Sequence, residues 1–256
     1  MYSNKNKMIL AQTKKLILKL SKTPNTILGI ATGRNYTNLD VIKEILPHFK
    51  YLVLTNGALV LEDNKIIEEN TIPIPFLEET LKEIKLLIQN NNEITASFIG
   101  AKKTAFFCEH PKKMEQNIKN IMEYWHSEID TPIDNQFYLK EKVFMLNIFG
   151  SDKEKLKPFL NQKKYFKTYF WQNHADFTLK DITKDYSVQK IKEKYPDHEL
   201  ICIGDGCNDL EMLKNADIGI VMGNCKFPEI LKKINLKTPH IEEDKMYEFF
   251  QKNGLC

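Results

Sequence analysis

The stretch Ile201-Cys-Ile-Gly-Asp-Gly-Cys-Asn-Asp-Leu-Glu-Met-Leu-Lys-Asn-Ala-Asp-Ile-Gly-Ile-Val-Met-Gly-Asn224 decides how the chain folds. Its apolar run from Leu200 to Ile203 reads as a short buried parallel strand. That strand delivers Gly204 and Asp205 to its carboxyl end, where open α/β sheets place their ligands. Asn208 and Asp209 open a helix whose Leu210, Met212, Leu213 and Ala216 turn toward a core, and Ile218 to Met222 reads as the next strand. Two carboxylates and a carboxamide therefore crowd one turn. Gly, Asp and Asn are also ordinary turn residues, so the strand, turn, helix, strand order is what separates a site from a solvated loop.

Outward from this stretch, the same grammar recurs. Thr26 to Ala31 predicts a strand ending in Thr32-Gly33-Arg34, with a helix from Thr37 to Leu46; backbone N–H groups at such a helix start favour an anion. A plain turn capped by Thr explains the same residues. Met8 to Leu20 has the spacing of an amphipathic helix. Tyr51 to Leu54 predicts a strand ended by Thr55-Asn56-Gly57-Ala58, followed by a hairpin, Leu59 to Leu61 and Lys65 to Ile67. Ile72-Pro73-Ile74-Pro75 breaks both periodicities and marks a boundary. Beyond it come a helix from Phe76 to Gln89, strands from Ile94 to Ile99 and Thr104 to Cys108, and a helix from Lys112 to Ser127. A strand from Lys142 to Phe149, a helix from Lys153 to Leu160 and a strand from Lys167 to Trp171 running on toward Phe177 complete this part. Strict βα alternation is absent there, so it reads as an α+β module inserted in an α/β domain. Lys184 stands before a helix carrying Val188, Ile191 and Tyr195 inward, from where its ammonium can reach the sheet's carboxyl edge.

Composition narrows the function classes. The 256 residues are 42% hydrophobic, enough for a substantial core. Lys and Arg number 37 against 34 Asp and Glu, a balance that argues against nucleic acid as partner. The five Cys are widely spaced without a CxxC, which suits a reducing cytoplasm rather than a disulfide framework or zinc site. No run of about 18 apolar residues suggests a membrane role. The aromatic residues Phe106, Phe107, Trp125, Tyr169, Phe170 and Trp171 read as core, and His110, His126 and His174 lack metal-ligand spacing.

Four islands in fixed order, Ala31-Thr32-Gly33-Arg34, Asn56-Gly57-Ala58, Lys184 and Gly204-Asp205-Gly206-Cys207-Asn208-Asp209, resemble the haloacid dehalogenase superfamily. More narrowly they resemble its Cof-type sugar-phosphate phosphatases, over nearly the whole chain. The resemblance implies a Rossmann-like α/β core from residues 1–74 and 178–256 with an inserted α+β cap of the C2 type over 75–177. It implies a Mg²⁺-dependent phosphatase of small phosphorylated metabolites, monomeric or weakly dimeric. Carried over, Asp205 is the Mg²⁺ ligand and Asp209 the acid that fixes the loop. Thr32, the Gly33 backbone and Asn208 hold phosphoryl oxygens, and Lys184 neutralises developing charge. Asp185 stands where the family has a glycine after the lysine.

One feature of the family is missing. Its members begin with a buried strand ending in DxDxT, whose first Asp attacks phosphorus and whose second is general acid and base. Here the first aspartate is Asp40, and no Asp-x-Asp occurs between Met1 and Cys256. In the resembling fold that strand lies centrally, between the strands at Thr26 to Ala31 and Leu200 to Ile203. Without it, backbone groups of both neighbours lose partners at about 1–3 kcal/mol each, against a total stability of roughly 5–15 kcal/mol. The neighbours could close the gap, or another chain could donate a strand. The expectation is a sequence that starts late, at an internal Met, and a 256-residue chain with little or no phosphatase activity for want of a nucleophile. The alternative is a non-catalytic protein that keeps the pocket to bind a phosphorylated ligand.

Overall fold

The computed structural model describes residues 2–3, 5–90, 94–109, 111–125, 131–150, 154 and 164–256. The chain opens with a short hairpin, β1 (Tyr2–Ser3) and β2 (Met8–Ile9), then helix α1 (Ala11–Leu20). Strands β3 (Gly29–Ala31), β4 (Tyr51–Leu54), β5 (Leu59–Glu62) and β6 (Lys65–Glu69) follow. Next come α2 (Ile74–Asn90), β7 (Thr95–Ile99), β8 (Thr104–Phe107), α3 (Pro111–Trp125) and α4 (Phe137–Lys140). Strands β9 (Met145–Phe149), β10 (Phe166–Phe170) and β11 (His174–Leu179) lead to α5 (Lys184–Glu193) and β12 (Ile201–Gly204). The chain closes with α6 (Leu210–Asn215), β13 (Ile218–Val221), α7 (Pro228–Leu231), β14 (Leu236–Lys237) and α8 (Met246–Lys252). Among the described residues no helix is long and apolar enough to cross a membrane.

Two sheets carry the α/β part. In one, β3 pairs parallel with β4, which turns antiparallel into β5 and β6; in the other, β12, β13 and β14 run parallel. β3 and β12 are each the outer strand of their sheet and do not pair with one another. They nonetheless meet through side chains, since Ala31 packs against the cluster of Cys202, Met212, Leu213 and Val221. Helix α1 serves both sheets, sending Ile17 into the cluster of Ile30, Leu52 and Leu54 and Leu16 into that of Ile220, Met222 and Phe250. The opening hairpin is tied to the carboxyl-terminal part: buried Ser3 donates its hydroxyl to Glu242 at 2.7 Å, and the Gln12 N–H donates to Asp244 at 3.0 Å.

A separate five-stranded antiparallel sheet has the order β10-β11-β9-β7-β8. Its strands alternate strictly, because successive side chains in a strand point to opposite faces. One face, with Ala96, Phe98, Leu146, Ile148, Ala175 and Phe177, packs on α2 through Leu77, Leu81, Ile84 and Ile88. These four helix residues recur at the three- to four-residue spacing that makes one apolar stripe. The opposite face mixes polar Thr95, Ser97, Asn147, His174 and Asp176 with apolar Ile99, Phe106, Met145 and Phe149, and its Asp176 reaches the loop at the carboxyl end of β4.

Three expected elements differ. Residues Met8 and Ile9 are a strand, and the helix starts at Ala11; Leu10 at its N-cap offers no side-chain acceptor, and Ile9 is drawn into the core beneath β3 and β4. The helix expected over Thr37 to Leu46 is a tighter 3₁₀ turn at Tyr36–Ile42 and another at Leu46–His48, the first capped by the Asn35 side chain accepting from the Asn38 N–H. The single strand expected from Lys167 toward Phe177 is a hairpin of β10 and β11, turned by Gln172 and Asn173. The helix expected over Lys153 to Leu160, His110, His126 and the Trp125 side chain lie outside the described residues.

Gly57 shows why the turn after β4 has its sequence. Its φ is +104°, and a Cβ there would lie 2.1 Å from the carbonyl oxygen of Thr183. The Ser187 hydroxyl also donates to the Gly57 carbonyl at 2.8 Å, which fixes α5 against this turn. Gly57→Ala is expected to lower unfolding stability by roughly 2–4 kcal/mol, since both backbone conformation and close approach are violated. Urea unfolding measures it, and a loss within about 0.5 kcal/mol would show that the turn relaxes freely.

Candidate active site

The loop after β3 and the loop after β4 are knitted by main-chain bonds. The Thr32 N–H donates to the Val53 carbonyl at 2.8 Å, Asn56 to Thr32 at 3.0 Å and Thr55 to Arg34 at 3.0 Å, while the Arg34 N–H reaches the Thr32 hydroxyl at 3.2 Å. Thr55, Asn56 and Gly57 take φ of +48°, +58° and +104°, three left-handed residues in succession. Asn and Gly tolerate this; a β-branched Thr does so only under constraint, and such strain concentrates at functional sites.

The loop after β12 is held by one carboxylate. Asp209 accepts the N–H groups of Asp205 and Gly206 at 3.0 and 2.9 Å on one oxygen and the Lys184 ammonium at 2.7 Å on the other. Both side chains of that pair are about 7% exposed. Gly204 permits the approach, because a Cβ there would lie 2.5 Å from the Asp209 carboxyl carbon. Thr183 caps α5 by accepting from the Tyr186 N–H at 3.1 Å, which leaves Lys184 at the helix's first position, pointing to Asp209. A lysine that the sequence alone would put at a solvated helix start is thus buried among the loops of the sheet edge.

Asn56 joins the pieces. Its side-chain oxygen accepts from Asn208 at 2.8 Å, and its amide donates to Asp176 at 3.3 Å and to the Met145 sulfur at 3.4 Å. Gly33 lies against it, so close that a Cβ would sit 3.1 Å from the Asn56 oxygen. Of the residues expected from sequence, Thr32, Gly33 and Asn208 are therefore gathered around Asn56, and Lys184 and Asp209 form one buried pair beside them. Asp205 is on the exposed side of the same turn, with one carboxylate oxygen held by the Asn224 amide.

Sequence reasoning passed over Asn56 and Asp176 as site residues. Asn56 stands in the Asn56-Gly57-Ala58 island, where its signal is an Asn-Gly pair at a strand end. Asp176 lies in a strand, where an isolated acid gives no signal except the alternation His174-Ala-Asp176-Phe-Thr178. It accepts from Asn147 at 2.6 Å and from the Trp171 indole N–H at 2.9 Å besides Asn56. Trp171 in turn lies over the Gly206 turn, where a Cβ would come within 3.1 Å of its ring.

Among the described residues no group of three or more His, Cys, Asp or Glu side chains is arranged to hold a metal ion. The donors present still suit a hard cation that keeps several waters and needs one or two carboxylates. Asp205 supplies an exposed carboxylate, and beside it the Asn224 side-chain oxygen is buried without a hydrogen-bond partner. Burial also sets the protonation of neighbouring groups. His174 has its pKa lowered by desolvation, opposed by the Asp176 charge, so it is neutral near pH 7. The Cys207 thiol, in the middle of the turn, is pushed up to about 12 by burial and by Asp176 and Asp209, which removes it as a nucleophile.

Removing one partner of a buried ion pair leaves the other charge uncompensated, a loss of roughly 3–5 kcal/mol. Asp209→Ala is expected to cost at least that, because two N–H groups of the turn also lose their acceptor. A double variant with Lys184→Met should recover part of the loss in urea unfolding. Equal stability of the single and double variants would mean that the pair is not coupled.

Comparison with known proteins places the fold. Residues 3–250 match the haloacid dehalogenase-like hydrolase family. YkrA of Bacillus subtilis (strain 168) is 24% identical over 253 residues, 98% of this chain and 93% of that protein. The 5-amino-6-(5-phospho-D-ribitylamino)uracil phosphatase YcsE of the same organism is 23% identical over 201 residues, 77% of this chain and 70% of that protein. Among solved structures, the HAD subclass IIB sugar phosphatase BT4131 superposes with a TM-score of 0.82 at 20% identity, covering 100% of this chain and 95% of that one. BT1666 from Bacteroides thetaiotaomicron superposes with a TM-score of 0.83 at 17% identity, covering 100% and 91%. With its family matched across almost its whole length, the chain belongs to the haloacid dehalogenase-like hydrolases.

Proposed function

We propose that this chain carries the phosphate-binding half of a Mg²⁺-dependent phosphomonoesterase for small phosphorylated metabolites of sugar or polyol character. The observation that carries the reading is the junction at Asn56, which packs on the Thr32-Gly33 loop and bonds Asn208, 152 positions from Asn56 in sequence. Phosphoryl transfer asks chiefly for positioning and for charge stabilisation around the transferred group. In this reading the Thr32 hydroxyl, the Gly33 N–H and the Asn208 amide bind the phosphoryl oxygens. Lys184 offsets the charge that gathers on them, and Asp209 keeps Lys184 and the Asp205–Gly206 turn in place. Mg²⁺ at Asp205 would supply Lewis-acid polarisation of a phosphoryl oxygen.

The proposed cap spans residues 75–177, and its five-stranded sheet closes over the loops through Asp176 and Trp171. The substrate class is supported by two relatives, one named for a phospho-ribityl compound and one described as a sugar phosphatase. A second reading, ligand binding without turnover, is favoured by one specific observation. Residues 1–256 contain no Asp-x-Asp, and β3 and β12, which would flank such a strand, are unpaired with each other. A covalent phosphoryl intermediate needs a carboxylate nucleophile at that place.

Hydrolysis of p-nitrophenyl phosphate and of a panel of sugar phosphates, with and without Mg²⁺, tests both readings. The 256-residue chain is expected to stay at background. The same chain extended at its amino terminus by a strand ending in Asp-x-Asp-x-Thr is expected to turn over, and to lose at least about 100-fold in kcat on Asp205→Ala. Turnover by the 256-residue chain that survives Asp205→Ala would contradict the proposal.

A further inference from the structure

Asp176 of β11 stands at the head of a line of three side chains that ends in the turn after β12. Register sets Asn147 of β9 directly opposite, and one Asp176 oxygen accepts from its amide at 2.6 Å, with the ring nitrogen of neutral His174 3.5 Å away. The other oxygen accepts from the Trp171 indole at 2.9 Å and from the Asn56 amide at 3.3 Å. Asn56 in turn offers its side-chain oxygen to the Asn208 amide at 2.8 Å. All three members of the line are buried, Asp176 at 5%, Asn56 at 0% and Asn208 at 7% exposure, so water is a poor substitute for any of these bonds.

A carboxamide has a donor end and an acceptor end of nearly the same shape, and its neighbours decide which end goes where. The turn that carries Asn208 does not decide it. The Asn208 oxygen lies against Gly206, where a Cβ would come within 2.5 Å, and among the described residues nothing donates to it. The Asn208 nitrogen has one partner among the described residues, the Asn56 oxygen. Asn56 therefore sets Asn208, and Asp176 sets Asn56, because an ionised carboxylate accepts and never donates. It draws the NH₂ end of Asn56, which turns the Asn56 oxygen to Asn208 and so draws the NH₂ end of Asn208 in its turn. The Met145 sulfur at 3.4 Å pulls Asn56 the same way, but a thioether is a weak acceptor.

We infer that Asp176 is a positioning residue: through two amides in series it makes Asn208 present N–H rather than C=O to a bound oxyanion. The inference rests on the phosphomonoester reading, which gives Asn208 to the phosphoryl oxygens, and adds the group that fixes which end of that amide they meet. One hydrogen of the Asn208 nitrogen goes to Asn56, and the second remains for the anion. With both amides reversed, Asn208 would turn its carbonyl oxygen toward a negatively charged ligand. The bare charge of Asp176 works in the opposite sense, since a carboxylate near an oxyanion weakens its binding. Neutralising Asp176 therefore tightens phosphate if this side chain acts only through its field, and weakens phosphate if it acts through the amides.

Calorimetric titration of the 256-residue chain with inorganic phosphate separates the two without turnover. Asp176→Asn keeps the shape but lets either end of an amide face Asn56, and it is expected to weaken phosphate about 5- to 10-fold. In an Asn208→Ala background the same substitution is expected to cost nothing or to tighten binding slightly, because the amide through which Asp176 acts is gone. A general loosening of the fold would weaken both backgrounds alike, so the double-mutant comparison is the readout that a merely structural role does not move. Thermal unfolding checks that each variant is folded, and Asp176→Ser, smaller and also able to donate, is read in place of Asp176→Asn if that variant does not fold. Phosphate affinity unchanged or raised by the substitution with Asn208 in place, or an equal loss with and without Asn208, overturns the inference and leaves the phosphomonoester reading standing. If the unaltered chain binds no phosphate, both fall.

Discussion

The arrangement depends on the side chain of Asn56. Its amide has one acceptor and two donor hydrogens, and the structure spends them on three different parts of the molecule: Asn208 in the β12 turn, Asp176 in the five-stranded sheet and Met145 beside it. The cost is a backbone with three left-handed residues in a row, one of them a threonine. That strain is offset by the main-chain bonds from Asn56 to Thr32 and from Thr55 to Arg34, and by the Ser187 hydroxyl on Gly57. A leucine or alanine at position 56 would supply none of the three contacts and would resist the left-handed turn. The two sheets of the α/β part share no strand pairing at β3 and β12, so this amide is a direct polar link between the carboxyl ends of β4 and β12.

The absence of pairing between β3 and β12 has a physical meaning for both stability and chemistry. Each presents an outer edge, yet Ala31 already packs on the β12–β13 cluster, so the edges approach without exchanging backbone bonds. A parallel pair would satisfy those groups; side-chain packing alone leaves them to find other partners. The same place is where a nucleophile would stand in the family to which the chain belongs. Residues 1–256 thus hold the groups proposed to bind phosphate and to stabilise its charge, and they contain no Asp-x-Asp.

Much of this was legible before the structure. The Ile201–Asn224 stretch gave strand, turn, helix and strand in the right order, because a buried parallel strand is continuously apolar and a site turn is dense in Gly, Asp and Asn. Position of Lys184 followed from its place before a helix, but its burial against Asp209 did not, since a single sequence carries no sign of which distant acid a lysine meets. The helix expected over Thr37 to Leu46 is replaced by 3₁₀ turns; Leu39, Ile42 and Ile45 are buried, and the Asn35 side chain caps the first turn. The place of Asp176 was invisible for another reason. Its partner Asn147 is on the neighbouring strand, and only the register of β9 and β11 brings the two side by side.

In the proposed reading the loops gathered by Asn56 form an oxyanion site with Lys184 at its edge. A crystal of the 256-residue chain soaked with tungstate tests it most directly. The account predicts an oxyanion peak within hydrogen-bond reach of the Thr32-Gly33 loop, the Asn208 amide and the Lys184 ammonium, and its disappearance in crystals of Lys184→Met. Tungstate bound elsewhere, or at the same place with undiminished occupancy in Lys184→Met, would contradict it.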